Sequence, residues 1–392
     1  MSHATSKTAG TLRLSLLMPL LYLGFALTGS GTVLLGAMLP RLSAGWHLRD
    51  KDAGSLLLVQ FAASALGSLL VREKFLRTLA SGYGLIAVGA LAVLMLQGRS
   101  LPAFGLYGLG LGLAMTSTNM LVGRRYSTRK GAALAVLNFS WSLGAVVCPF
   151  LVARFVSHTD SNAAFGLLGL LAAPFALLPL LCLPGDFEVA ENLRQTPARR
   201  REAKTIVYFA VLGFLYVGIE SAAGNWISTY AIRAGSWSFP RSSLAVFSFW
   251  AALLLGRAVT PALLALLPER RLYRVSALAT AAGIALLLAG HTPQSILAGS
   301  VLTGLALAPL FPLIVSLFLV ELGDSRNGGW FFAIAGVGGA ALSWLTGTLS
   351  TAAGSLRIGM MAPAAAVLAM VVMIFWDSSS PQREALPAAQ AG

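Results

Sequence analysis

The chain has 392 residues, of which 57% are hydrophobic and only 11% charged, with a mean hydropathy of +0.77. A soluble protein of this length could not bury that apolar excess, because too much of its surface would remain exposed. The formal net charge of +14 would suit nucleic acid, but its distribution along the chain points instead to membrane topology.

Apolar runs of about 20 residues, each long enough to cross ~30 Å of hydrocarbon, recur from end to end. Taken in order, twelve spans are expected at 13–39, 53–71, 78–97, 101–123, 131–156, 163–183, 205–232, 242–266, 274–290, 295–320, 328–352 and 356–376. The fold class is therefore an all-α polytopic membrane protein. Forty-one glycines fit it, because small residues let membrane helices approach closely. The first apolar run, Leu14 to Leu39, is too long for a cleavable signal and reads as a first span.

The loops carry the orientation. With both termini on one side, that side holds eighteen Lys and Arg, including Arg72, Lys74, Arg77, Arg199, Arg200 and Arg201. The other side holds eight, among them Arg41, Arg49, Lys51, Arg233 and Arg241. By the positive-inside rule the richer side is cytoplasmic, so the expected location is the cytoplasmic (inner) membrane with both termini inside. Asp50 and Asp52 then fall in a charged external loop and are expected to be solvated. The segment PGDFEVAENLRQTPARRREAK (184–204) reads as a cytoplasmic linker that separates an N-terminal six-span unit, 1–183, from a C-terminal one, 205–380. Residues 381–392 read as a disordered tail.

The chain also repeats itself. LYLGFALTGSG (21–31) aligns with LYVGIESAAGN (215–225) at an offset of 194, and FAASALGS (61–68) with WAALLLGR (250–257) at 189. GLGLG (108–112) aligns with GLALA (304–308) at 196. Colinear matches of spans one, two and four to spans seven, eight and ten imply two pseudo-symmetric six-helix bundles.

Chemistry concentrates at Glu220. Of fourteen carboxylates it is the one expected at mid-depth in a span, where an ionisable group marks a pathway or a partner. Its counterpart in the first repeat is Ala26, so the scaffold does not demand it. Glu220 can hold a proton taken from one side and can bond a hydroxyl in either state. Candidate substrate ligands are the amides Gln60, Asn119, Asn138 and Asn225, with the indoles of Trp141, Trp226, Trp250 and Trp344. Amides and carboxylates suit sugar hydroxyls, and an indole face suits the apolar face of the ring. The same amides could instead tie helices together. Arg257 lies in the cytoplasmic third of span eight and is expected to snorkel, with a structural or gating role near the inner mouth. Prolines in AVVCP (145–149) and APLFP (308–312) are expected to kink their helices.

Two cysteines inside spans imply no disulfide framework, and four scattered histidines give no metal spacing. Asn138-Phe139-Ser140 matches a glycosylation sequon but lies inside a span. No G-x-x-x-x-G-K loop is present, and no nucleophile–base pair suggests an enzyme.

GLGLGLAMTSTNMLVG (108–123), GAALAVLNFSWSLGAVVCP (131–149), FLYVGIESAAGNWISTYAIRAG (214–235), FSFWAALLLGR (247–257) and GGAALSWLTG (338–347) together resemble the major facilitator superfamily. Within it the chain looks closest to the fucose:proton symporters and related glucose transporters. The superfamily's loop signature between spans two and three survives only as GSLLVREKFLR (67–77). The resemblance implies a monomeric secondary transporter that works by alternating access. Its partners would be a small-molecule substrate, most readily a monosaccharide such as glucose or fucose, and membrane lipid, with no nucleic acid. No cofactor is implied beyond a proton as coupling ion. In the resembled symporters coupling is associated with acids of the N-terminal half, and the first six spans here contain none. Either Glu220 carries the proton, or another ion is used, or the chain is an uncoupled facilitator. A proton-coupled exporter of drugs or other small molecules is the remaining alternative.

Overall fold

A computed structural model describes residues 2–72, 74–96, 101–126, 130–155, 162–181, 202–290, 292–322 and 328–377. Most of the 184–204 linker and the whole 381–392 tail lie outside these residues. The described chain is helical: α1 (Ser2–Gly45), α2 (Asp50–Leu70), α3 (Phe75–Leu96), α4 (Leu101–Arg125), α5 (Lys130–Phe155) and α6 (Ala163–Ala172) form the first half. The second half comprises α7 (Glu202–Gly235), α8 (Phe239–Leu266), α9 (Glu269–Ala289), α10 (Pro293–Leu307), α11 (Leu310–Leu322), α12 (Gly328–Ala353), α13 (Leu356–Gly359) and α14 (Met361–Asp377).

Twelve crossings result. Ten described segments are long and apolar enough to span a membrane, and α4 and α6 complete the set. Crossing six ends as a 3₁₀ stretch, Ala173–Leu181, because Pro174 lacks an N–H and its ring crowds the preceding turn. Crossing ten is divided into α10 and α11 at Pro309, as the APLFP sequence leads one to expect, whereas Pro149 stays within α5. Several buried Ser and Thr hydroxyls, such as Thr118, Thr260 and Thr303, donate to the carbonyl four residues back, which satisfies them where no water is available.

The starts of the odd-numbered crossings and the ends of the even-numbered ones share a face with the first turns of α1 and the last turn of α14, here called the terminal face. There the Tyr208 hydroxyl donates to the Met373 carbonyl at 3.3 Å, and the Arg274 guanidinium lies over Phe375. At the opposite, far face, Arg41 lies over Phe239.

The predicted repeat is visible in the packing. Gly108 of α4 sits against the Gln60 carbonyl of α2, and Gly304 of α10 sits against the Phe249 carbonyl of α8. The two glycines are 196 residues apart and the two carbonyl residues 189 apart, the offsets found in the sequence match. Gly144 also meets the Ala26 carbonyl between α5 and α1, and Gly338, 194 residues on, meets the Phe214 carbonyl between α12 and α7, six residues before the counterpart of Ala26, Glu220. Lipid tails are as apolar as the side chains, so helices in a membrane associate through such backbone-to-backbone approach. The halves then meet chiefly along α1 with α7, α2 with α12, and α5 with α8.

One expected surface group is buried instead. Asp50 is only 7% exposed, and its carboxylate accepts from both terminal nitrogens of Arg233, one at 2.7 Å, and from the Ser350 hydroxyl. The loop ends at residue 49, so Asp50 already belongs to the first turn of α2 and points at the other half. Asp52 does face outward, pairing with Arg49 at 3.1 Å. Trp376 is exposed at the end of α14, and Trp237 is buried.

A methyl group added at Gly108 would overlap the Gln60 carbonyl, while Gly84 has open space around its Cα. Gly108→Ala is expected to destabilise the fold by about 1–3 kcal/mol, the usual effect of overpacking. Gly84→Ala should leave stability unchanged or slightly improved. Thermal unfolding of the purified variants in detergent checks the contrast.

Candidate functional site

A cavity of about 200 Å³ lies between the halves at mid-depth. Its wall takes Thr32 and Val33 from α1, Gln60, Phe61, Ser64, Ala65 and Ser68 from α2, and Leu111 and Met115 from α4. Trp141 of α5, Val217, Glu220, Ser221 and Asn225 of α7, Trp250 of α8 and Gly336 of α12 complete it. Ser68 of α2 and Gly336 of α12 lie in the parts of their helices nearer the terminal face, so the cavity extends that way. Toward the far face it is closed by close backbone packing. Gly36 of α1 lies against Asn225, and Gly54 of α2 against Trp344 of α12.

The polar wall is built chiefly on α7. Glu220 follows Tyr216 by one turn, so the Tyr216 hydroxyl reaches Glu220 Oε1 at 3.1 Å. Arg257 Nη2 donates to the same oxygen at 2.9 Å, while its Nη1 donates to Ser142 Oγ at 3.0 Å. The guanidinium of the second half is thus shared between a carboxylate of its own half and a hydroxyl of the other. Phe311 stacks on Tyr216 with centroids 5.1 Å apart and covers the ring that orients the carboxylate. Asn225 Nδ2 donates to Ser343 Oγ at 3.3 Å. Across the cavity, Gln60 Nε2 donates to the Thr32 carbonyl at 3.1 Å, which leaves its Oε1 without a protein partner. The rings of Trp141 and Trp250 meet edge to face, with centroids 5.8 Å apart, and the Trp250 indole N–H is also unpartnered.

The structure therefore brings Gln60, Trp141, Glu220, Asn225 and Trp250 together. Four other expected residues lie elsewhere. Asn119 turns its amide back to the Met115 carbonyl at 2.9 Å, and Asn138 turns its own to the Leu134 carbonyl at 2.9 Å. Neither lines the cavity, and Asn138 is exposed, so both amides are satisfied by their own helices. Trp226 is fully buried, its indole donating to the Ser343 carbonyl at 3.0 Å within the α7–α12 contact. Trp344 presents its backbone to Gly54 and stands outside the cavity.

Arg257 also departs from expectation. It does not snorkel to the terminal face; its length spans the difference in depth to Glu220, because pairing inside the protein replaces the water it would otherwise need. Tyr216 and Ser142 were not singled out from sequence. Tyr216 carried a signal, being four residues before Glu220 and aligned with Tyr22 in the repeat; Ser142 carried none.

The family model of the Major Facilitator Superfamily matches residues 21–328, and the chain belongs to that superfamily of transporters. It is 23% identical over 353 residues to the glucose/mannose transporter GlcP of Bacillus subtilis, covering 83% of this chain and 86% of that one. Among solved structures, the transporter FucP in its outward conformation superposes with a TM-score of 0.64 at 17% identity, covering 92% of this chain and 98% of FucP. A POT family transporter in complex with 5-aminolevulinic acid superposes at 0.73 with 14% identity, covering 95% and 96%. At these identities the structural likeness establishes the fold.

Removing one partner of a buried ion pair leaves the other charge uncompensated, at a cost of about 3–5 kcal/mol. Arg257→Met is accordingly expected to lower stability by that order. The double variant Arg257→Met/Glu220→Leu should recover most of the loss. A double-mutant cycle read by thermal unfolding in detergent measures the coupling.

Proposed function

We propose that this chain is a secondary transporter of a small, neutral, polyhydroxylated solute, a monosaccharide, moved by alternating access with a proton carried at Glu220. The observation that carries this is the convergence of Glu220, Gln60, Asn225, Trp141 and Trp250 on one mid-depth cavity.

Size, charge and chemistry agree. A volume of about 200 Å³ falls below the roughly 300–1,000 Å³ of drug-sized pockets, which favours a single sugar ring over a lipophilic drug. Glu220 is the one ionisable residue on the wall, and Arg257 balances it, so the cavity favours a neutral solute. Two amides offer donors and acceptors to hydroxyls, and the indole pair offers an apolar surface to the ring. The glucose/mannose transport given in the name of GlcP supports the same class.

The ion pair suggests how a proton enters the cycle. An ionised Glu220 holds Arg257 in the second half. A protonated Glu220 no longer attracts it by charge, which leaves Ser142 of the first half at 3.0 Å and the more distant Tyr216 hydroxyl at 3.5 Å as its partners. Proton binding at Glu220 would in this way alter a contact that joins the halves. In the membrane, the Lys/Arg distribution supports an inner-membrane protein with both termini and the 184–204 linker in the cytoplasm.

Counterflow of labelled monosaccharides in proteoliposomes, with and without a pH gradient, tests the assignment. Wild type should accumulate its sugar when a gradient is imposed. Glu220→Gln keeps shape and hydrogen bonding but cannot titrate, so it should lose gradient-driven accumulation and retain exchange. Accumulation by the Gln variant would place the proton elsewhere; none by wild type would make the chain a facilitator. A topology reporter fused after Lys204 should read as cytoplasmic, and a periplasmic signal would overturn the orientation.

A further inference from the structure

Asp50 is the one described carboxylate, besides Glu220, that forms an ion pair with a residue far away in the sequence. It opens α2 in the first half, yet every side chain bonded to its carboxylate comes from the second. Arg233 of α7 contributes both terminal nitrogens and Ser350 of α12 its hydroxyl. The adjacent Lys51 N–H donates to Thr351 Oγ1 at 2.8 Å, and Gly347 packs directly on the Asp50 carbonyl. These contacts lie at the far face, where the cavity is closed.

Burial differs sharply within the pair. The Asp50 side chain is 8% exposed, while that of Arg233 is 44% exposed. A second cavity, lined by Pro40, Ser43, Thr229 and Arg233, reaches the guanidinium from the outer side. Arg233 thus borders this second cavity, on the far-face side of the central one. The helices that hold it also hold the cavity wall. Arg233 follows Asn225 by about two turns on α7, and Ser350 follows Ser343 by about two turns on α12. A rearrangement of α7 against α12 at the Asn225–Ser343 bond would thus be felt at the ion pair.

We infer that the Asp50–Arg233–Ser350 cluster is the latch that keeps the far end shut, and that it must break for the central cavity to open to the far face. The inference rests on the alternating-access reading but not on the identity of the solute or the use of a proton. Because the acid and its donors belong to opposite halves, the contact exists only while those halves are together at this end. When they part, water can solvate both groups, so opening replaces one set of hydrogen bonds by another instead of stranding a charge.

The test uses the full chain with Cys148→Ser, Cys182→Ser and Thr32→Cys, a thiol on the cavity wall, reconstituted in vesicles and labelled with a membrane-impermeant maleimide from either face. Asp50→Asn should speed labelling from the far face about tenfold and slow it from the terminal face, as expected when one of two states loses a buried charge pair. Ser350→Ala should act in the same direction by less. The exchange Asp50→Arg/Arg233→Asp should restore slow far-face labelling. Unchanged far-face labelling in Asp50→Asn overturns the latch, as does faster labelling from both faces, which reports a loosened fold. If Asp50→Asn does not accumulate, Ser350→Ala decides, and a wild-type labelling rate in that variant overturns the latch. Labelling needs no solute, so failure of sugar counterflow leaves the result readable.

Discussion

A guanidinium inside hydrocarbon has to be paired, and the pairing of Arg257 organises the centre of this molecule. Its two ends serve different halves, the carboxylate of Glu220 on one side and the hydroxyl of Ser142 on the other. Tyr216 adds a second donor to the carboxylate, and Phe311 shields that ring. The cost of desolvating two charges is offset only where each also keeps good hydrogen bonds, and these four groups provide them. The rest of the interior is consistent with such a site. It is apolar, closely packed through glycine, and satisfies many of its Ser and Thr hydroxyls along their own helices.

The halves share a scaffold but not a chemistry. Glycine notches repeat at matching positions between α2 and α4 and between α8 and α10, so the same close approach is built twice. The polar residues do not follow that symmetry. Where the second half has Glu220 the first has Ala26, and where the second has Asn225 the first has Gly31. A symmetric frame builds the two halves alike, while the asymmetric lining confines the charge to one of them.

What could be read from the sequence, and what could not, divides along the membrane normal. Depth is linear in residue number, so the twelve crossings, the mid-depth position of Glu220 and the break at Pro309 were legible. Rotation about each helix axis was not. These helices are apolar nearly all round, and without an amphipathic period nothing says which face a residue occupies. Asn138 and Asn225 are alike in type, yet one bonds its own helix and the other lines the cavity. Trp226 and Trp250 differ in the same way. Asp50 was misjudged for a related reason: at a helix start, a small change in boundary decides whether a side chain meets water or the opposing half.

The contact of Gly36 with Asn225 carries a consequence for selectivity. Asn225 lines the cavity, and its amide oxygen and Cα also pack on Gly36 in the seal between the halves. If the cavity is the solute site proposed above, recognition and permeation meet at a single residue. A solute that shifts Asn225 in order to bind also perturbs the closure above it. Discrimination between similar solutes can then arise from the rate at which each is let through as well as from how tightly each is held.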